Sequence, residues 1–305
     1  MSITFVVHGK LRYFHALKKS ILTVFRDEFQ LGFIRTDPVS GAKDAVRKAI
    51  EAGTAYVIIV GGDGSVNEAI NGYMMIPEAM RVATVLGVLP MGSGNDFARS
   101  LQVSKDLKGL YTLIHNRSIM KVDVCKMKYQ GLGHETEYRY FINISDIGLG
   151  GLAAVHVRNS PKILGPNLSY AKAIISSLLT YKKQPISLKS PEFKWEGEIM
   201  SLCMANGKYF GSGMCIAPEA CLNDGLIQLI ILGNIRLSDY LKNLPKIKRG
   251  EKIKHKEVSY TAVSSLSIES KGAECPIDMD GEFIGHTPIE VEVLPEVVKM
   301  LTPVV

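Results

Sequence analysis

Residues 57–72 read VIIVGGDGSVNEAING: four apolar residues, then Gly61, Gly62, Asp63, Gly64 and Ser65, then a helix-like pattern. A short apolar run bounded by glycines suits a strand buried on both faces, and a helix directly after it suits a β-α unit. Ser65 and Glu68 stand three apart as an S-x-x-E capping box, which places the expected helix start at the serine. A helix N-terminus carries partial positive charge and unpaired N–H groups, and glycines let a phosphate come close to the backbone. The turn from Gly61 to Glu68 is therefore expected to hold an anion. Asp63 repels a phosphate unless a cation stands between them, and a divalent metal resolves that conflict.

The same rhythm surrounds this stretch. Strands are expected at residues 3–7, 33–36, 55–60 and 84–90. Between them, Leu17, Ile21, Val24 and Phe25 share one helical face, and AKDAVRKAIEAG ends at Gly53, a C′ glycine. Such alternation implies a doubly wound parallel sheet. In LGVLPMGSGNDFARSL, residues 86–101, a second strand runs into Gly92, Ser93, Gly94 and Asn95, followed by a helix carrying Phe97, Ala98 and Arg99. Two glycine loops at the C-terminal ends of successive parallel strands occupy the place where open α/β sheets bind ligands.

After about Lys121 the segments become β-rich: KVDVCKM, YRYFINI, EIMSLCMAN, LIQLIILG, SLSIES and PIEVEVL. In the last, Ile289, Val291 and Val293 alternate with Glu290 and Glu292, as in a half-buried strand. One helix is expected near residues 168–182. The expected fold class is an α/β domain with a doubly wound parallel sheet, followed by a β-rich antiparallel domain, with the active site in the cleft between them. The boundaries fall at 1–122 for the α/β domain and 123–290 for the β-rich one. Residues 291–305 form a C-terminal segment whose return to the first domain is left open.

Composition narrows the class. With 305 residues, 46% of them hydrophobic, the chain can build one large domain or two ordinary ones. Cys125, Cys203, Cys215, Cys221 and Cys275 are odd in number and lack a CxxC pair, so they read as buried thiols and not as a disulfide framework or zinc site. No apolar run approaches the roughly 18 residues of a membrane span, and the N-terminus lacks the pattern of a secretory signal, which points to a cytoplasmic protein. The net charge of +6 favours anionic partners. It is concentrated in KNLPKIKRGEKIKHK, residues 242–256, where Glu251 is the only acid; its Pro and Gly suggest a hairpin or loop.

GGDGSVNEAING followed by LGVLPMGSGNDFAR resembles the bacterial diacylglycerol/lipid kinases, relatives of the diacylglycerol kinase and sphingosine kinase catalytic domains. GGDGS alone is shared with phosphofructokinases and GGDG with NAD kinases, so S-G-N-D-F-A-R is the more specific part. NDGLIQLIIL (223–232) and DGEFIGHTPIEVEVLPEVVKML (280–301) look like later landmarks of the same family. The resemblance implies a phosphofructokinase/NAD-kinase-like first domain, ATP and Mg²⁺ as cofactors, and a lipid alcohol as acceptor.

Taken by themselves, Asp280-Gly281 and Asn223-Asp224-Gly225 are turn signals. In IDMDGE, Asp278, Asp280 and Glu282 are expected to share a strand face as a dense acidic cluster. The resemblance implies that Asp280 is the general base on the lipid hydroxyl, that Glu282 lies near the catalytic metal, and that Asp63 helps to hold the Mg–ATP phosphates. It further implies a structural Mg²⁺ at Asp224 with the carbonyls of Cys221 and Leu226, tied to a network of Asp96, Arg99 and Asp123. One departure stands out. The family usually carries Asn-Pro-x-(Ser or Ala)-Gly after the first strand, where this chain has Val7-His8-Gly9-Lys10-Leu11-Arg12. Lys10 or Arg12 is a candidate for replacement phosphate contacts.

The expected partners are a membrane lipid substrate and an anionic membrane surface, met peripherally at the inner membrane face through residues 242–256 or the apolar stretch 168–183. Nucleic acid is not expected, since interleaved aromatics and a reading helix are lacking. A homodimer is left open. The alternatives are a soluble NAD-kinase or phosphofructokinase-like kinase, which SGNDFAR and the late DGE oppose, and a non-catalytic nucleotide-binding regulator, suggested by the altered first loop.

Overall fold

The computed structural model describes residues 1–37, 41–159 and 176–303. The chain divides into two compact units, Met1–Val124 with Pro295–Val305, and Cys125–Leu294. Most of the helix expected near 168–182 lies outside the described residues.

In the first unit, β1 (Ser2–Val7), β2 (Gln30–Arg35), β3 (Tyr56–Gly61) and β4 (Val85–Pro90) form a parallel sheet in the order β4-β3-β1-β2. At the free side of β4, Met300 pairs in parallel with Leu86. Helices cover both faces. Ile21 and Phe25 of α1 (Phe14–Phe25) and Leu110 and Ile114 of α6 (Leu107–His115) pack on Ile3, Phe5, Val7, Ile58 and Val60. On the other face lie α2 (Gly41–Glu51) and α3 (Asp63–Met74), followed by the short α4 (Glu78–Arg81) and α5 (Asp96–Ser100). β3 and β4 are buried at every residue, which is why they read as continuous apolar runs. α2 stops where expected: Gly53 at φ +73° gives its N–H to Ile50 O (2.8 Å) while Thr54 gives its own to Ala49 O (3.2 Å), the paired bonds of a Schellman motif.

The second unit is antiparallel. It contains β5 (Ile119–Gln130, from Cys125 on), β6 (Thr136–Phe141), β7 (Ile144–Gly148), α7 (Leu149–Asn159), β8 (Gln184–Lys189), β9 (Lys194–Ile199) and β10 (Ser201–Ala205). After the short β11 (Tyr209–Phe210) and β12 (Met214–Cys215) come β13 (Ile227–Leu232), β14 (Val258–Val263), β15 (Ser265–Ser270), β16 (Pro276–Met279) and β17 (Glu282–Leu301, to Leu294). One path of paired strands runs β14-β13-β10-β7-β16-β17 and continues from β17 through β15 and β8 to β9. On β17, Ile289 and Val291 are buried and Glu290 and Glu292 exposed, as the alternation predicts.

YRYFINI is β-rich as expected, and is divided between β6, which ends at Phe141, and β7, which begins at Ile144. Two expectations are corrected. Residues 242–256 are not a simple hairpin or loop, because an α-helix spans Leu237–Lys248 and takes Pro245 into its body. It buries Ile247 and turns Lys242, Lys246 and Lys248 outward, so periodic apolar contact outweighs the local cost of the proline. Cys221 is exposed, whereas the other four cysteines are buried.

Candidate functional site

β3 and β4 are neighbours in register, Gly61 opposite Pro90, so their glycine loops leave the same edge of the sheet side by side. Together with the loop after β1 they enclose a cavity of about 420 Å³. Its walls include Gly61 to Ser65 and Gly92 to Gly94. The glycines are there for space. A Cβ on Gly92 would lie 2.4 Å from Gly62 Cα, and one on Gly61 would lie 2.4 Å from Ser65 Oγ. Backbone amides thus form the wall where side chains would otherwise stand.

The expected capping box is not formed. α3 starts at Asp63, with Gly62 as an extended N-cap and no side-chain cap. Glu68 Oε2 instead accepts the Ala42 N–H at 2.6 Å, at the start of α2. A tertiary donor therefore takes the carboxylate that local spacing assigned to the α3 terminus. Glu68 is not in the cavity wall, and neither is Asn95. Asn95 sits in the left-handed region (φ +54°) and folds back on its own loop, accepting from Gly92 N–H (2.9 Å) and donating to Gly92 O (2.8 Å). Asp63 does face the cavity, and its Oδ1 accepts the Phe97 N–H at 3.0 Å, which ties the first loop to the helix behind the second. Asp96 and Asp123 are buried in this unit, Asp123 accepting the Glu296 N–H at 2.7 Å, while Arg99 is exposed on α5.

In the second unit Asp280 lies in a turn, so Asp278, Asp280 and Glu282 do not share one strand face. β16 ends at Met279, the register shifts at Ile277/Asp278, and Asp280-Gly281 (φ +49° and +90°) make the two-residue hairpin connection to β17. The Asp280 carboxylate accepts backbone N–H groups from Ile142 (3.4 Å), Asn143 (3.3 Å) and Ile144 (3.0 Å), and its own N–H binds Ile144 O (2.9 Å). The break between β6 and β7 supplies those amides, so backbone N–H groups hold this acid in place. Glu282 pairs with Arg139 at 2.5 Å.

Asp146, absent from the motif-based expectations, stands opposite Asp278 across β7 and β16. It is buried, and accepts from Ser201 Oγ, from Cys203 Sγ (2.8 Å) and from the Gly150 N–H (3.0 Å). Burial pushes its carboxyl up to about 6 against the pull of those donors. Burial, then the nearby Asp146 and Asp280, push Asp278 well above the carboxylate range, and its Oδ1 is out of solvent without a hydrogen-bond partner. Opposed acids 132 positions apart leave no local signal in a sequence.

Asp224 sits in an exposed turn with Gly225 at φ +72°, and its Oδ1 accepts the Leu226 N–H at 3.0 Å. Cys221 Sγ donates to Asn223 Oδ1 at 3.2 Å. No group of three or more His, Cys, Asp or Glu side chains converges on a metal-sized point among the described residues. One carboxylate with backbone carbonyls is nonetheless an oxygen donor set that suits Mg²⁺ or Ca²⁺ chemistry, and Asp63 beside a phosphate-sized hollow suits Mg²⁺ likewise.

Comparison with known proteins places two domain families on the chain. Residues 9–127 match the diacylglycerol kinase catalytic domain, and residues 145–302 match the YegS C-terminal NAD kinase beta sandwich-like domain. The protein named "Probable lipid kinase YegS-like" of Pectobacterium atrosepticum is 27% identical over 98% of this chain and 95% of its own length. A diacylglycerol kinase of Staphylococcus epidermidis is 27% identical over 97% of this chain and 89% of its own. Among solved structures, a diacylglycerol kinase from Bacillus anthracis superposes with a TM-score of 0.72 at 20% identity, covering 99% of this chain and 97% of that one. Yeast NADH kinase shares the fold more distantly, with a TM-score of 0.54 at 9% identity, covering 98% and 82%.

Proposed function

Because the chain belongs to the YegS-like lipid kinase family, with a diacylglycerol kinase catalytic domain in its first part, we propose that it transfers the γ-phosphate of ATP to the hydroxyl of a membrane lipid, diacylglycerol or a related lipid alcohol. The observation that carries this proposal is the glycine-walled cavity of about 420 Å³ between the loops after β3 and β4. Phosphoryl transfer asks a protein mainly to position oxygens in line and to stabilise charge on the phosphoryl group. Backbone N–H groups at Gly62 to Ser65 and at Ser93 and Gly94 are suited to the phosphates, whereas the Gly92 N–H is taken by Asn95.

Asp280 is proposed as the general base. Its carboxylate takes the proton of the attacking lipid hydroxyl as the oxygen–phosphorus bond forms, and the bridging oxygen leaves on ADP. Three backbone N–H groups fix its orientation, so little rearrangement is needed to use it. Mg²⁺, when bound, neutralises phosphate charge. Asp63 is the residue to hold it at the nucleotide, and Asp224 with the Cys221 and Leu226 carbonyls is the proposed structural set.

The acceptor lies in a bilayer, and no helix among the described residues is long and apolar enough to cross one. Docking from the cytoplasmic side is proposed for the helix Leu237–Lys248 and the residues after it. Lys242, Lys246, Lys248, Arg249, Lys254 and Lys256 are exposed there, each adding about 1 kcal/mol near an anionic leaflet. The deciding assay supplies γ-labelled ATP and Mg²⁺ with mixed micelles of diacylglycerol, phosphatidylglycerol or a long-chain base, followed by chromatography of the lipid phase. Label in a lipid product is expected. Label on NAD or fructose 6-phosphate, with none in any lipid, would overturn the proposal.

A further inference from the structure

The loop after β1 is held tightly despite its departure from the family pattern. His8 N–H binds Val60 O (3.0 Å), Gly9 N–H binds Thr36 Oγ1 (3.0 Å), and Leu11 N–H closes a turn on His8 O (3.0 Å). The Arg35 guanidinium donates to Gly9 O while its plane lies over the Phe14 ring at 5.1 Å. A Cβ on Gly9 would stand 2.2 Å from Thr36 O, so the loop backbone is pressed directly against the end of β2. These contacts leave the Lys10 backbone little freedom, with its N–H directed to His8 Nδ1 at 3.3 Å.

The fixed loop puts His8, Lys10 and Leu11 in the wall of the same cavity as Gly62 and Gly92. Arg12 is exposed and does not border the cavity. Among the described residues, Lys10 is the only Lys or Arg in that wall, and Asp63 the only acid. A triphosphate carries several negative charges, and the rest of the wall offers it no other Lys or Arg among the described residues, so the Lys10 ammonium group is the strongest side-chain attraction available to it.

We infer that Lys10 is the side-chain cation that grips the nucleotide phosphates, and that Arg12 has no such part. The inference rests on the cavity being the nucleotide site. The Lys10 side chain is exposed before ligand arrives, so it is not committed to a buried ion pair that binding would have to break. Its reach also suits a point-charge contact that follows the phosphates, not a bidentate clamp.

The test is calorimetric titration of wild type, Lys10→Gln, Lys10→Arg and Arg12→Gln with Mg–ATP and, separately, with adenosine. Loss of one charge-assisted hydrogen bond should weaken ATP about ten- to a hundredfold in Lys10→Gln, leave adenosine unchanged, and be largely restored in Lys10→Arg. The position is exposed, so the variant is expected to fold, and retained adenosine binding confirms it. Wild-type ATP affinity in Lys10→Gln would overturn the inference while leaving the nucleotide site standing. An equal loss in Arg12→Gln would overturn it too, by making diffuse loop charge the cause. Failure of the wild type to bind ATP would overturn both the site and the inference.

Discussion

Replacing Asp146 by Asn should change how the second unit responds to pH, in a defined direction. Burial raises this carboxyl from 3.8 to about 6, so the folded chain holds the proton more tightly than the unfolded chain. Its contribution to stability is whole below the unfolded value, declines as pH rises through about 6, and is level above that. A displacement of about two pH units, at about 1.4 kcal/mol each, amounts to about 3 kcal/mol. Trp195 is the only tryptophan and packs against the core of the same unit, so its fluorescence in urea reports the unfolding of that unit. Between about pH 4 and about pH 7, where the unfolded carboxyl is already partly ionised at the start, wild type should lose about 2 kcal/mol of that total relative to Asp146→Asn. The altered hydrogen bonds to Ser201, Cys203 and Gly150 add an offset that does not depend on pH. Asp278 loses a like-charged neighbour in the variant, which enlarges the difference in the same sense. Parallel pH curves for the two proteins would refute the reasoning.

Asp280→Asn should lower turnover about 10²- to 10⁴-fold with ATP affinity kept, measured by steady-state kinetics beside nucleotide titration. Gly92→Ala drives a methyl group into the Gly62 backbone, where nothing flexible can give way, and should cost about 1–3 kcal/mol in thermal unfolding and abolish tight ATP binding. Glu68→Ala removes the acceptor for Ala42 N–H and should destabilise by about 1 kcal/mol in urea without weakening ATP. Changing Lys242, Lys246 and Lys248 together to Gln should reduce co-sedimentation with anionic vesicles by about 1 kcal/mol per charge, and the loss should shrink at high salt.

The first unit was largely readable because its signals are local. β3 and β4 are buried on both faces and appear as unbroken apolar runs, and Gly53 ends α2 where its left-handed backbone is required. What failed was competition at longer range. Glu68 had the spacing for a local cap, yet a backbone N–H from α2 takes its carboxylate. Asp280-Gly281 was legible as a turn, and is one; what failed was the shared strand face for Asp278, Asp280 and Glu282, and the amides that hold the Asp280 carboxylate lie 136 to 138 positions away. Asp146 carried no motif at all; only strand pairing brings it to Asp278. Asn95 was legible as a loop residue, whereas its bonding back to Gly92 depends on a left-handed backbone that spacing does not reveal.

A methyl group on Gly92 would stand 2.4 Å from Gly62 Cα and one on Gly62 would press Gly92 Cα at 3.0 Å, so the two loops behave as a single casting. A chimera that received one of them from a relative would set a foreign backbone against a native surface shaped for a different neighbour. Attempts to retune nucleotide choice here must therefore transplant both segments at once, and saturation libraries confined to either segment should return mostly glycine at these two positions.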